Sequence, residues 1–209
     1  MAKTAAIQNE YGALHAAGGL QRIYITDFHF AGQQVEHVAQ HFSTDIFCSQ
    51  IDASKIRKAR ISRLIPFDYT LHDIEPDLTV IPTPGHTSGG VCYLLMMDQK
   101  RYLFTGDFLY FDGQQWIVGS KNYNSVSESL NRLQALTLRI GNSSSNPCRH
   151  NIPEVYLCQV LLYGHEIQSP IHVATIRPVA TLVKYNFVLP QTNHELLFKD
   201  RFCVVFAEI

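Results

Sequence analysis

Two spacings of apolar residues alternate along the first 140 positions. Tyr11, Leu14 and Ala17 recur at helical intervals, and the run stops at Gly18-Gly19, which predicts a helix within residues 5–18. Arg22-Ile23-Tyr24-Ile25-Thr26 is a short β-branched run and predicts a buried strand. Asp27 to Gly32 follows as a polar loop. Val35, Val38, Ala39 and Phe42 return to helical spacing, and Asp45 to Cys48 reads as a second strand. Residues 50–60 predict a short basic helix.

From residue 61 the pattern turns to strands. Leu78 to Pro82 leads into Thr83-Pro84-Gly85-His86-Thr87-Ser88-Gly89-Gly90. Residues 91–96 and 101–105 predict a hairpin turning at 97–100. Val126, Leu130, Leu133 and Leu136 mark an amphipathic helix over 125–138, with Ser125 or Ser127 as its expected cap. Strands alternating with helices, with polar residues at the strand ends, indicate an α/β layered domain. The pattern breaks at Gly141-Asn142-Ser143-Ser144-Ser145-Asn146-Pro147, a linker-like run. Beyond it, 155–162, 179–189 and 202–207 are strand-like. The expected organisation is therefore one domain over 1–140 and a linker with a divergent segment over 141–209 that completes the second sheet.

Composition narrows the classes of function. The chain has 209 residues, 46% hydrophobic and 17% charged, which is ordinary globular composition. Its net charge of −1 gives no basic field for nucleic acid. No stretch approaches the roughly 18 apolar residues of a membrane span, and the first ten residues carry no signal-peptide core. The 5 cysteines are odd in number and show no C-x-x-C pair, against a disulfide framework or a zinc knot. A cytoplasmic protein with a small-molecule substrate, and no nucleic-acid or membrane partner, is the expectation.

The 10 histidines sharpen the search for chemistry. Asp27 and His29 follow the 22–26 strand, His86 follows 78–81, and Asp107 follows 101–105. Polar groups at the ends of neighbouring strands converge on one rim of an open α/β fold. Two His and two carboxylates suffice to hold one divalent zinc, iron or manganese ion. Asp27 and His29, two apart, share a face on an extended strand end. The competing reading makes Asp27 an Asx-turn former and Asp107 a simple turn residue. His15, His37 and His41 read as helix-face residues. His72, His150, His172 and His194 have no ligand spacing.

At Ile25-Thr26-Asp27-Phe28-His29-Phe30-Ala31-Gly32, Pro84-Gly85-His86-Thr87 and Phe104-Thr105-Gly106-Asp107 the sequence resembles the metallo-β-lactamase-fold hydrolases. That family carries a His-x-His-x-Asp-His loop, a Gly-His-Thr loop, a Thr-Gly-Asp strand end and a late Gly-His. The resemblance implies an αββα sandwich. It also implies metal ligation by His29, His86 and Asp107, with His165 of Tyr163-Gly164-His165 as a further ligand and Asp107 as the catalytic carboxylate. Asp27 stands where the family has its first His. Ala31 and Gly32 stand where it has the Asp and the last His, and neither has a ligating side chain. At most a mononuclear site is therefore expected. The family also places several strands before this loop, so the first sheet is expected to be incomplete or the chain shortened at its start. Three functions compete. The first is a metal-assisted hydrolase of a small ester, lactone, thioester or amide. The second is a non-catalytic relative that keeps the fold and needs no metal. The third, a carboxylate-rich iron redox protein, ranks last because no flavin or haem segment accompanies the His and Asp residues.

Overall fold

A computed structural model of the chain describes residues 11–139, except 17, 98–99, 112–115 and 120–122, together with 155–159 and 172–175. These residues fall into two compact units, parted between Tyr69 and Thr70, with the segments after residue 154 in the second.

The first unit is a βαβαβ arrangement. It opens with helix α1 (Tyr11–Ala16), followed by β1 (Arg22–Tyr24), α2 (Gln33–Phe42), β2 (Asp45–Ser49), α3 (Ala53–Lys58) and β3 (Leu64–Phe67). The strands lie in the order β1-β2-β3, all parallel, with Ile23 opposite Ile46 and Phe47 opposite Ile65. Parallel neighbours need crossovers, and α2 and α3 supply them. Ile23, Tyr24, Ile25 and Ile46 are fully buried, as a strand sequence without polar alternation requires. Pro66 cannot donate to a ladder and lies on β3, which is an edge strand.

Helix α2 buries Val35, Val38 and Ala39 along one stripe, at the spacing expected from the sequence. It ends at Ser43 in the left-handed region, where the backbone N–H groups of Ser43 and Thr44 satisfy the last carbonyls. Glu36 is buried on the same helix and bolts it to the segment before β3. One carboxylate oxygen accepts the Ser62 N–H at 3.0 Å, and the other takes the Ser62 hydroxyl and the Gln40 amide.

The second unit is a six-stranded sheet in the order β11-β10-β7-β6-β5-β4. Its strands are β4 (His72–Glu75), β5 (Leu78–Pro82), β6 (Val91–Met97), β7 (Lys100–Phe104), β10 (Val155–Gln159) and β11 (His172–Thr175). All pairings are antiparallel except β7 with β10. A separate ribbon pairs β8 (Leu109–Phe111) with β9 (Trp116–Val118). Helix α4 (Tyr123–Arg139) lays Val126, Leu130, Leu133 and Leu136 onto a core of Ile81, Cys92, Leu94, Leu103 and Phe108.

The α/β class expected from the sequence is the class observed. Two local expectations change. The helix over 125–138 begins at Tyr123, so neither Ser125 nor Ser127 precedes it and neither caps it. Among the described residues α1 spans Tyr11–Ala16 within the expected 5–18. His172–Thr175 forms a strand that the apolar pattern did not single out. The strand-like runs 179–189 and 202–207 lie outside the described residues.

Burial pushes the Glu36 carboxyl up, but the Ser62 hydroxyl, the Ser62 N–H and Gln40 together hold it below its ordinary 4.5. A carboxylate with a depressed folded-state value stabilises the fold above its unfolded value and loses that contribution as pH falls through the folded one. Glu36→Gln is expected to cost about 1–2 kcal/mol in urea unfolding at pH 7. The gap from the parent should shrink as the pH is lowered below 4.5.

Candidate functional site

The first group of site residues sits where β1 runs out. Ile25 N–H still bonds to the Phe47 carbonyl, and Thr26 and Asp27 are buried beyond it. Asp27 then caps a single 3-10 turn, Phe28–Phe30, in an extended backbone conformation. Its Oδ1 accepts the His29 N–H at 2.9 Å and lies 3.3 Å from His29 Nδ1. Asp27 and His29 are thus brought together by an Asx cap rather than by the alternation of an extended strand. The turn-forming role weighed from the sequence is real, and the carboxylate serves it while it faces the imidazole ring. His29 presents an exposed ring, whereas Asp27 is 4% exposed.

Asp52 holds this turn from outside. It stands at the N-cap of α3, yet its side chain makes no cap bond. Instead Oδ2 accepts the Phe28 N–H at 3.3 Å, while Lys55 Nζ lies 3.9 Å from Oδ1 and 4.2 Å above the Phe28 ring. The sequence signal was an Asp before a basic helix, which ordinary capping explains. Only the structure shows the carboxylate spent on the loop.

The second group lies in the other unit, on the two turns that follow β5 and β7. The loop after β5 is closed by Thr83 N–H to the Gly90 carbonyl at 2.9 Å. A Cβ on Gly90 would lie 3.2 Å from both the Thr83 carbonyl and the Thr87 hydroxyl, so close backbone approach explains glycine there. Helix α4 secures the loop's entry: Ser129, fully buried, donates to the Pro84 carbonyl at 2.8 Å, and Arg132 donates to the Pro82 carbonyl. Arg132 is itself held by Glu128 at 3.0 Å. After β7, Gly106 takes φ +51° to open a second 3-10 turn, Gly106–Phe108, which carries Asp107.

His86 and Asp107 meet across these turns, with Nε2 3.4 Å from Oδ2. His86 Nδ1 lies 2.6 Å from the Gly119 carbonyl, which can only accept, so the ring carries a proton on Nδ1. In the neutral tautomer Nε2 then presents a lone pair toward a carboxylate oxygen. Two acceptors facing each other call for a proton or a cation between them. An imidazole fixed by a backbone carbonyl on its far nitrogen, beside a carboxylate, is a donor set that suits a divalent metal ion. Gly119 is in turn anchored through its N–H to the Phe108 carbonyl at 2.9 Å, next to Asp107. Sequence reasoning missed Gly119, Ser129 and Arg132, since backbone acceptors and helix-borne donors leave no motif.

Among the described residues Phe30 and Phe108 are core, and Phe28 is half-buried under Lys55. His72 bonds to the Thr70 carbonyl at 2.9 Å. His165 lies outside the described residues. Among those residues no helix is long and apolar enough to cross a membrane.

No family model matches the chain. Over 125 residues it is 34% identical to a hydroxyacylglutathione hydrolase of Rhizobium meliloti (strain 1021), covering 56% of this chain and 45% of the relative. The chain thus spans about half the length of that curated relative. Among solved structures it is similar to a quorum-quenching N-acyl homoserine lactone lactonase, at 15% identity and a TM-score of 0.47 over 68% of each chain. It is also similar to a hydrolase, AbOPH, described as in the beta lactamase superfamily, at 18% identity and a TM-score of 0.44 over 70% of this chain and 60% of that one. The curated relative is by name a hydrolase, the broad class of the resemblance read from the sequence.

Removing the Ser129 hydroxyl leaves the half-buried Pro84 carbonyl without its side-chain donor. Ser129→Ala is expected to cost about 1–2 kcal/mol in urea unfolding, even though alanine is the better helix former.

Proposed function

We propose that this metallo-β-lactamase-like chain is a metal-dependent hydrolase in which Asp27, His29, His86 and Asp107 hold one divalent ion. The observation that carries the reading is the placing of the His86 ring, with Nδ1 2.6 Å from the Gly119 carbonyl and Nε2 3.4 Å from the Asp107 carboxylate. The bound ion supplies Lewis acidity and a water of lowered pKa at neutral pH. The chain's own residues do the rest. Gly119 fixes the His86 ring and keeps its proton on the far nitrogen. Asp52 and the Asp27 cap fix the turn that carries His29. Asp107 brings the negative charge that favours a divalent over a monovalent ion and is the catalytic carboxylate of this reading.

The substrate class is a small ester, lactone, thioester or amide. Hydroxyacylglutathione, named by the curated relative, is the first compound to test. Zinc, iron and manganese all suit a His and carboxylate donor set. A cytoplasmic setting belongs to the same reading, and the free thiols Cys48 and Cys92 are at home there.

Ala31 and Gly32 favour a second reading, a non-catalytic relative that keeps the fold. Ala31 closes the 3-10 turn and Gly32 precedes α2, and neither side chain can ligate or serve as a base.

Metal analysis and turnover separate the two. The hydrolase reading expects about one equivalent of divalent metal at this site. His86→Ala and Asp107→Asn should each lose it. Hydrolysis of the thioester should stop on chelation and return with added metal. A protein whose metal content is indifferent to both substitutions, and that turns over nothing, is the non-catalytic relative.

A further inference from the structure

The basic helix α3 has so far only braced the turn that carries His29. Of the cations on and after it, Arg57, Lys58 and Arg60 are exposed, and Arg63 is taken up by Asp45 at 3.0 Å. A solvated face accounts for these four. Lys55 is placed differently. Its Nζ lies 4.2 Å above the Phe28 ring, and that ring lies 4.1 Å from the His29 imidazole, centroid to centroid. Ammonium, phenyl ring and imidazole thus form a row that ends on a proposed metal ligand. The ring and the buried Asp52 carboxylate, with Oδ1 at 3.9 Å, hold the ammonium in place. At that distance Asp52 is no hydrogen-bond partner, and its Oδ2 is given to the Phe28 N–H. Among the described residues no acceptor stands within hydrogen-bond distance of Nζ, and the side chain is 46% exposed. An ammonium carries three N–H donors, so this one has donors to give and an open side from which to give them.

We infer that Lys55 is a specificity-determining residue, which receives a negatively charged group, carboxylate or phosphate, at the end of the substrate remote from the bond that is cut. The inference rests on the hydrolase reading of His29. The row sets the geometry. The Phe28 ring separates the ammonium from the imidazole, so the anion belongs a few bonds away from the scissile carbonyl rather than on it. The half-buried ring between them offers an apolar floor to the intervening methylene groups. A lysine held by a ring and a buried acid has less freedom to lose when an anion docks than one on a free stem. A point charge reads charge rather than planar shape, so carboxylate and phosphate both suit it. The contact is made equally before and during bond cleavage, and it therefore acts on binding and not on the chemical step.

Matched thioesters test this on the full chain supplied with zinc. S-acetyl-3-mercaptopropionate carries a carboxylate, S-acetyl-2-mercaptoethyl phosphate carries a phosphate, and the primary amide of the first carries no charge. KM for at least one anion should be roughly fivefold below that for the amide, and which anion is favoured tells the two sources apart. Lys55→Met should erase the advantage by raising KM for the anion, with kcat and the kinetics of the amide unchanged. Lys55→Arg should keep it. A second readout needs neither metal nor turnover. In an NMR titration of the full chain, 3-(methylthio)propionate should shift the Lys55 side-chain and Phe28 amide signals, and its amide should not. This titration decides the matter if Lys55→Met fails to fold or if no thioester is cleaved, the latter result counting against the hydrolase reading alone. The proposal is overturned by a parent chain with no preference for either anion, by a loss in Lys55→Met that falls equally on acid and amide, or by a titration without shifts. Lys55 is then only a brace for the turn.

Discussion

Two backbone carbonyls at the end of β5, those of Pro82 and Pro84, govern what the second unit can present. The chain leaves the sheet there to form the loop that carries His86. A carbonyl buried without a donor costs as much as a lost hydrogen bond or more. Helix α4 resolves both, through Arg132 at Pro82 and Ser129 at Pro84. The same helix supplies the apolar stripe that covers the sheet core. One element thus fixes the loop's path and closes the hydrophobic layer. The His86 ring is then oriented by the Gly119 carbonyl, and Gly119 is held through its N–H by the Phe108 carbonyl, so Gly119 ties the two site turns together.

The first unit uses a different device for the same end. Its site turn follows a buried parallel strand, and the turn is shaped by carboxylates rather than by a helix. Asp27 folds the chain back on itself, and Asp52 reaches across from α3 to take the next N–H. Both acids are almost fully buried, and each gives one carboxylate oxygen to a backbone N–H of the turn. Lys55, over the Phe28 ring and near Asp52, offsets the buried charge.

Much of this was legible in the sequence. The apolar spacing of Val35, Val38 and Ala39 and of Val126, Leu130 and Leu133 located two helices and the faces they bury. The short apolar runs located β1, β2, β5, β6 and β7. The polar residues at strand ends named the four candidate ligands. What stayed hidden has a common physical cause. The pairing of Asp27 with His29 depends on a side-chain cap, and a residue spacing of two does not distinguish a cap from a strand face. The roles of Asp52, Gly119, Ser129 and Arg132 depend on which backbone group each meets across long stretches of chain. Helix α4 begins at Tyr123, two residues before the first of its expected serine caps.

Cys92 shows what such a closely tied sheet does to an otherwise reactive group. It sits inside β6, fully buried, with its sulfur 3.3 Å from the Thr83 hydroxyl and 4.0 Å from the Thr105 carbonyl. Burial pushes its thiol up to about 12. Alkylating or oxidising agents attack the thiolate, and there is almost none at neutral pH. In the closed core the residue is chemically silent, and it becomes nucleophilic only when the layer that α4 forms over the sheet opens. The rate at which a thiol reagent reaches Cys92 is therefore an internal clock for the lifting of the same helix that holds the entry of the His86 loop.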